Sequence, residues 1–225
     1  MKSQILLLHG ALGADTQLFP LKTALEKLGH EVFTLNFAGH AGVPFSKDGF
    51  GIEAFAEDVN RFINQQVLSN LHIFGYSMGG YVAFRYALHH PDKISKITTL
   101  GTKFDWSPES AAHEVKKVNP EKIEEKIPAF ARILEKRHAP NDWKELLNKT
   151  AAMMKGLGDQ PLLHEKNLPG INCPVTIGLG ELDDMADKTY SEKVSSLLPK
   201  GKFVMLSNTP HPIEKVSMEV LLELL

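Results

Sequence analysis

The chain alternates between short apolar runs and longer stretches in which apolar residues recur every three or four positions. Ile5-Leu6-Leu7-Leu8 is continuous rather than alternating, the mark of a strand buried on both faces. Leu18, Leu21, Leu25 and Leu28 follow at helical spacing, and Gly29 supplies a stop. The cycle then repeats. Residues 32–35 form a second apolar run, and Ile52, Phe55, Val59, Phe62 and Ile63 mark one helix face. Residues 71–74 make a third run, with Tyr81, Phe84, Arg85 and Leu88 in the helix behind it. Residues 94–100, 175–179 and 203–206 complete a set of six. Strands separated by helices need right-handed crossovers, so the pattern predicts an α/β fold with a mostly parallel sheet flanked by helices on both faces.

One region breaks the alternation. Residues 104–167 contain helix signals and no convincing strand. Ser107-Pro108-Glu109 and Asn119-Pro120-Glu121 each set a capping side chain before a Pro suited to the first helical position. Pro128 divides the second helix from a third. Asn141 or Asp142 opens a fourth, which Gly156 and Gly158 are expected to end. The organisation expected is a core of residues 1–103 and 168–225 with residues 104–167 inserted as a helical lid. A helical bundle packed on the sheet edge is the alternative.

Composition narrows the function. Among 225 residues, 25 Lys and Arg face 27 Asp and Glu, for a net charge of -2. No global positive field is available to hold nucleic acid or an anionic membrane. A single Cys excludes an intrachain disulfide and any multi-thiolate zinc site. The run after Lys2 is too short for a secretory signal, and no apolar stretch is long enough to span a bilayer. A soluble, cytoplasmic protein is expected, acting without metal or cofactor.

The chemically informative string is Gly75-Tyr76-Ser77-Met78-Gly79-Gly80, between an apolar run and a helix. A Ser on so tight a strand-to-helix turn is forced into a strained backbone, and side chains two residues away on either side would collide. The turn also sets the hydroxyl at a helix N-terminus, where free N–H groups favour developing negative charge.

This arrangement resembles the α/β-hydrolase superfamily along nearly the whole chain. His9-Gly10-Ala11-Leu12-Gly13 matches its HG turn after the first core strand, and residues 37–42 resemble its glycine-containing loop after the next. Residues 75–80 match the nucleophile elbow. Gly180-Glu181-Leu182-Asp183 matches the turn that carries the acid, and His211 follows the last strand. The resemblance implies Ser77 as nucleophile, His211 as base and Asp183 as acid, in the superfamily's order. Backbone N–H groups of Ala11 and Met78 would form the oxyanion hole. Asp184 and Asp105 remain alternative acids. Pro210 stands where most relatives have Gly, and because the first run begins so early, a compact sheet of about six strands is expected.

The remaining polar candidates read as structural. His9 and His40 are expected to bond backbone, His72 to sit in a strand, and Cys173 to be a packed thiol. Lys116-Lys117 and Lys136-Arg137, offset by Glu114, Glu121, Glu124, Glu125 and Glu135, read as a solvated helical face. If the lid covers Ser77, Leu12, Phe104, Trp106, Phe130, Trp143, Met153 and Met154 are candidates to line a pocket for an apolar acyl or alkyl group. The core of the lid itself is the competing place for most of them. The function expected is a serine hydrolase of small carboxylic esters or thioesters that uses an acyl-enzyme. A C–C bond hydrolase, a lyase of the same superfamily and a non-catalytic binding homologue are the alternatives.

Overall fold

The computed structural model describes residues 3–225; Met1 and Lys2 lie outside the described residues. Six strands form a single sheet: β1 (Gln4–Leu8), β2 (Glu31–Leu35), β3 (Leu71–Tyr76), β4 (Ile94–Leu100), β5 (Val175–Leu182) and β6 (Gly201–Pro210). The spatial order is β2-β1-β3-β4-β5-β6, and every neighbouring pair is parallel. Alternate residues of each strand feed opposite faces. Leu6, Leu8, Ile73 and Ile97 pack against α2 (Ile52–Gln65), α3 (Met78–His89) and α8 (Lys188–Leu197). Ile5, Leu7, Phe74 and Leu100 pack against α1 (Phe19–Lys27) and α9 (Met218–Leu224).

Between β4 and β5 the chain forms α4 (Pro108–Val115), α5 (Pro120–Lys126), α6 (Pro128–His138) and α7 (Trp143–Asp159). The expected caps form. Ser107 accepts from Ser110 N, Asn119 from Lys122 N at 2.8 Å, and Asp142 from Lys144 N at 2.8 Å. Val118, Ile123, Ala131, Leu134, Trp143, Leu147 and Met154 give these helices a small core of their own. Gly156 and Gly158 do not end α7, which runs on to Asp159. Gly158 serves contact instead: a Cβ there would lie 2.5 Å from Ala111 Cβ and 2.8 Å from Ser107 O, so α4 can approach only a bare backbone.

The carboxyl ends of the strands gather the loops along one edge of the sheet. Leu8 pairs with Gly75 and Tyr76 with Leu100, so the segments leaving β1, β3 and β4 emerge side by side. On the far side Leu182 pairs with Pro210, which places the next residues, Asp183 and His211, together. Pro210 sits at the end of β6 at little cost to the sheet. It ends an edge strand, where a missing N–H breaks no interior ladder. No helix among the described residues is long and apolar enough to cross a membrane.

Candidate active site

Ser77 stands as N-cap of α3 with φ 51° and ψ −117°, a conformation that only an over-determined turn holds. Its surroundings supply that determination. Ser77 N donates to Leu100 O at 2.8 Å, and Thr102 Oγ1 donates to Ser77 O at 2.9 Å. The flanking glycines are obligatory for close approach. A Cβ on Gly75 would come within 2.4 Å of Gly80 Cα, and one on Gly79 within 2.5 Å of Leu8 O.

His211 and Asp183 meet as the strand pairing requires. His211 Nδ1 and Asp183 Oδ2 are 2.7 Å apart, with the carboxylate side chain 1% and the imidazole side chain 9% exposed. The other carboxylate oxygen accepts from Met185 N at 2.8 Å and Ala186 N at 3.2 Å, so the Asp183 side chain is fixed at both oxygens. Tyr76 Oη donates to His211 O at 3.1 Å, which holds the imidazole's backbone. Burial pushes that phenol's pKa upward and keeps it a donor. Gly101, at φ 62°, leaves room for the pair: its Cβ would sit 2.8 Å from Asp183 Oδ2 and 3.0 Å from His211 Nδ1. The sequence reading missed Gly101; its one signal was a glycine directly after β4.

Of the other acids, Asp184 is exposed. Asp105 is engaged by Lys103 at 2.8 Å and does not reach His211. Ser77 and His211 line one cavity of about 320 Å³. The imidazole's side-chain hydrogen bond goes to Asp183; among the described residues none joins it to Ser77. The cavity also takes in Ala11 and Met78. Met78 opens α3, so its N–H has no partner inside the helix. Ala11 follows Gly10, whose carbonyl is drawn inward by His9 Nδ1 at 2.8 Å and Gly13 N at 3.1 Å. Because the C=O and N–H of a trans peptide point oppositely, this turns the Ala11 N–H away from His9.

The cavity wall corrects part of the expected lining. Leu12, Trp106, Phe130, Met153 and Met154 line it. Phe104 does not; it is buried against Tyr81 and Phe84 under the sheet's helices. Trp143 does not either, being packed in the core of the inserted helices. Aromatic character signals burial without saying in which core. The solvated-face reading fails at Arg137, which is half-buried and lines the cavity, and at Glu114, which is buried against Lys117 at 3.0 Å.

The structural readings of the other polar residues stand. His72 bonds Thr98 Oγ1 at 2.9 Å, and burial pushes its pKa down to about 3. Burial likewise lowers His9 and His138 to about 4. The unfolded chain therefore binds more protons than the folded one from about pH 6.5 down to about 4, so stability is full above 6.5 and falls as pH drops through that window. Each such histidine contributes a slope of up to about 1.4 kcal/mol per pH unit. The urea midpoint is expected to drop markedly between about pH 7 and about pH 5, above most carboxylate titration. An unchanged midpoint would contradict the neutral, buried state of these rings.

The architecture and these motifs define an α/β hydrolase, and comparison bears this out. The chain belongs to the alpha/beta hydrolase fold family, whose model matches residues 4–137. It is 31% identical over 97 residues to the sn-1-specific diacylglycerol lipase ABHD11 of Mus musculus, covering 43% of this chain but only 31% of that protein's length. It is 22% identical over 246 aligned positions to the monoacylglycerol lipase ABHD6 of Bos taurus, covering 94% of this chain and 71% of that one. A solved carboxylesterase structure from Nitrososphaera gargenis superposes with TM-score 0.78 at 16% identity, over 99% of this chain and 89% of that chain.

Proposed function

We propose that the protein is a serine hydrolase that cleaves small carboxylic esters or thioesters bearing an apolar acyl or alkyl group, through an acyl-enzyme on Ser77. One observation carries this reading: a sealed Asp183–His211 pair whose imidazole opens into the same cavity as a Ser on a strained, glycine-flanked corner. A free hydroxyl is a poor nucleophile, so Ser77 Oγ needs a base. His211 takes its proton as Oγ bonds to the acyl carbon, then returns it to the departing alcohol or thiol. Asp183, bonded to Nδ1, fixes the tautomer that leaves the other ring nitrogen as acceptor and stabilises the imidazolium formed. The N–H groups of Ala11 and Met78 receive the negative charge on the carbonyl oxygen, a contribution of roughly 3 to 4 kcal/mol per donor in a dry site. Water activated by the same imidazole then releases the acid.

Segment 104–167 acts as the lid. Its Trp106, Phe130, Met153, Met154 and Leu157 line the cavity that holds Ser77, together with apolar residues of the core such as Leu12, Ile52 and Tyr81. A cavity of about 320 Å³ lies at the small end of ligand pockets, which favours short to medium acyl groups. The names of the two lipase relatives, both acting on acylglycerols, support an apolar ester. Turnover of a series of p-nitrophenyl esters should peak at short to medium chains and fall away for long ones. Absence of turnover across the series, with no fluorophosphonate label on Ser77, would favour a binding homologue.

A further inference from the structure

The turn that carries Ala11 is held at the carbonyls on either side of that residue. His9 holds the Gly10 carbonyl from within the core. Two residues on, the Leu12 carbonyl accepts two hydrogen bonds, from Arg137 Nη1 at 2.9 Å and from His138 Nε2 at 3.0 Å. Both donors sit in the last turn of α6, in the inserted segment. His138 Nδ1 accepts from Ala41 N at 3.1 Å, so the proton must lie on Nε2, where it can serve Leu12. Asn141, just past α6, donates to Gly39 O at 3.2 Å and Val43 O at 2.6 Å. The end of α6 is therefore bonded to both loops that follow the first two strands.

Two further features point the same way. Leu12 has φ 57°, a region that favours glycine, and a leucine stays there only where neighbours hold it. The His138 ring also lies 5.7 Å from His40, which lies 5.0 Å from His9. All three are fully buried, forming a packed column from the inserted helix to the residue that orients the Gly10–Ala11 peptide.

We infer that Arg137 and His138 are positioning residues, locking the oxyanion turn from the lid, so that the inserted helices complete the oxyanion site as well as roofing it. The inference rests on the acyl-transfer reading above. It differs from a substrate-binding role for Arg137, which the cavity position also invites, and kinetics separate the two.

The test uses the full chain with Arg137→Met and His138→Leu, and with Arg137→Lys and His138→Gln as conservative partners. Each is assayed on a p-nitrophenyl ester and on the matching thionoester, whose sulfur is a weak acceptor that draws little from oxyanion donors. For the ester, kcat should fall roughly ten- to a hundredfold in the first two variants, with KM within about twofold. The thionoester should lose less than about threefold, and the conservative variants should recover most of the loss. Equal losses on both substrates, a rise in KM alone, or no change would overturn the inference. Should His138→Leu fail to fold, the half-exposed Arg137 carries the test. Amide hydrogen exchange across residues 10–13 gives a reading independent of turnover: it should quicken about tenfold or more in both variants, and unchanged protection would overturn the clamp. A wild-type chain without Ser77-dependent turnover would instead remove the acyl-transfer reading, leaving exchange to judge the clamp.

Discussion

Ser77→Ala is expected to lower kcat for ester hydrolysis by about 10⁶ and to abolish labelling by a fluorophosphonate. The size of the effect follows from the division of labour in the site. Without Oγ there is no atom for the acyl group to bond, and His211 has no proton to take. The oxyanion donors and the cavity remain and would leave roughly 10³ to 10⁴ over the uncatalysed rate. Folding should survive, because the strained corner is held by main-chain contacts, Ser77 N to Leu100 O at 2.8 Å and Thr102 Oγ1 to Ser77 O at 2.9 Å. Thermal melting checks that point, and steady-state kinetics on the best ester of the series checks the loss. A variant retaining more than a tenth of wild-type activity would remove Ser77 from the reaction.

Asp183→Asn is expected to cost about 10⁴ in kcat, while Asp105→Asn and Asp184→Asn stay within a few-fold of wild type. Asp183 is the acid that both touches His211, at 2.7 Å, and is sealed from water. An amide there keeps the shape but can donate to Nδ1, which leaves the imidazole with its proton on the wrong nitrogen to act as base. Asp105 is paired with Lys103 at 2.8 Å and is not part of the cavity lining, and Asp184 faces solvent. Parallel kinetics on the three variants decide the assignment. A large loss at Asp105 with Asp183→Asn unimpaired would show that the sealed pair is structural.

The interior strands β1, β3, β4 and β5 were legible because parallel strands buried on both faces are nearly continuous apolar runs, and the edge strands β2 and β6 keep a shorter apolar stretch. All six cores were read, with ends short by a few residues wherever a strand runs out into polar sequence, as β6 does through Ser207 and Asn208. Two helices were not read. The buried side of α8 uses Ser191, Val194 and Ser195, and two small hydroxyl residues in three hide the apolar period. Helix α9 is only seven residues long, less than the window in which periodicity shows.

The site divides the same way. The elbow was legible because its glycines answer to local sterics, 2.4 Å at Gly75 and 2.5 Å at Gly79. Asp183 was named from the likeness of Gly180–Asp183 to the acid's turn, but Asp184 and Asp105 stayed open, since the approach to His211 depends on the pairing of Leu182 with Pro210 across two strands. Arg137 was hidden for a related reason. A Lys-Arg pair at a helix end reads as solvated, and only the packing of α6 on the loop at Leu12 turns one of the two inward.

In the proposed mechanism every turnover passes an acyl group through Ser77 Oγ. Rapid acid quench of the wild-type chain turning over a p-nitrophenyl ester, followed by peptide mass analysis, would catch that group in place. The expected result is the mass of the acyl group on the peptide containing Ser77, appearing within a turnover and disappearing once substrate is exhausted. Steady hydrolysis with Ser77 unmodified at every quench time, or with the acyl group on another residue, would contradict it.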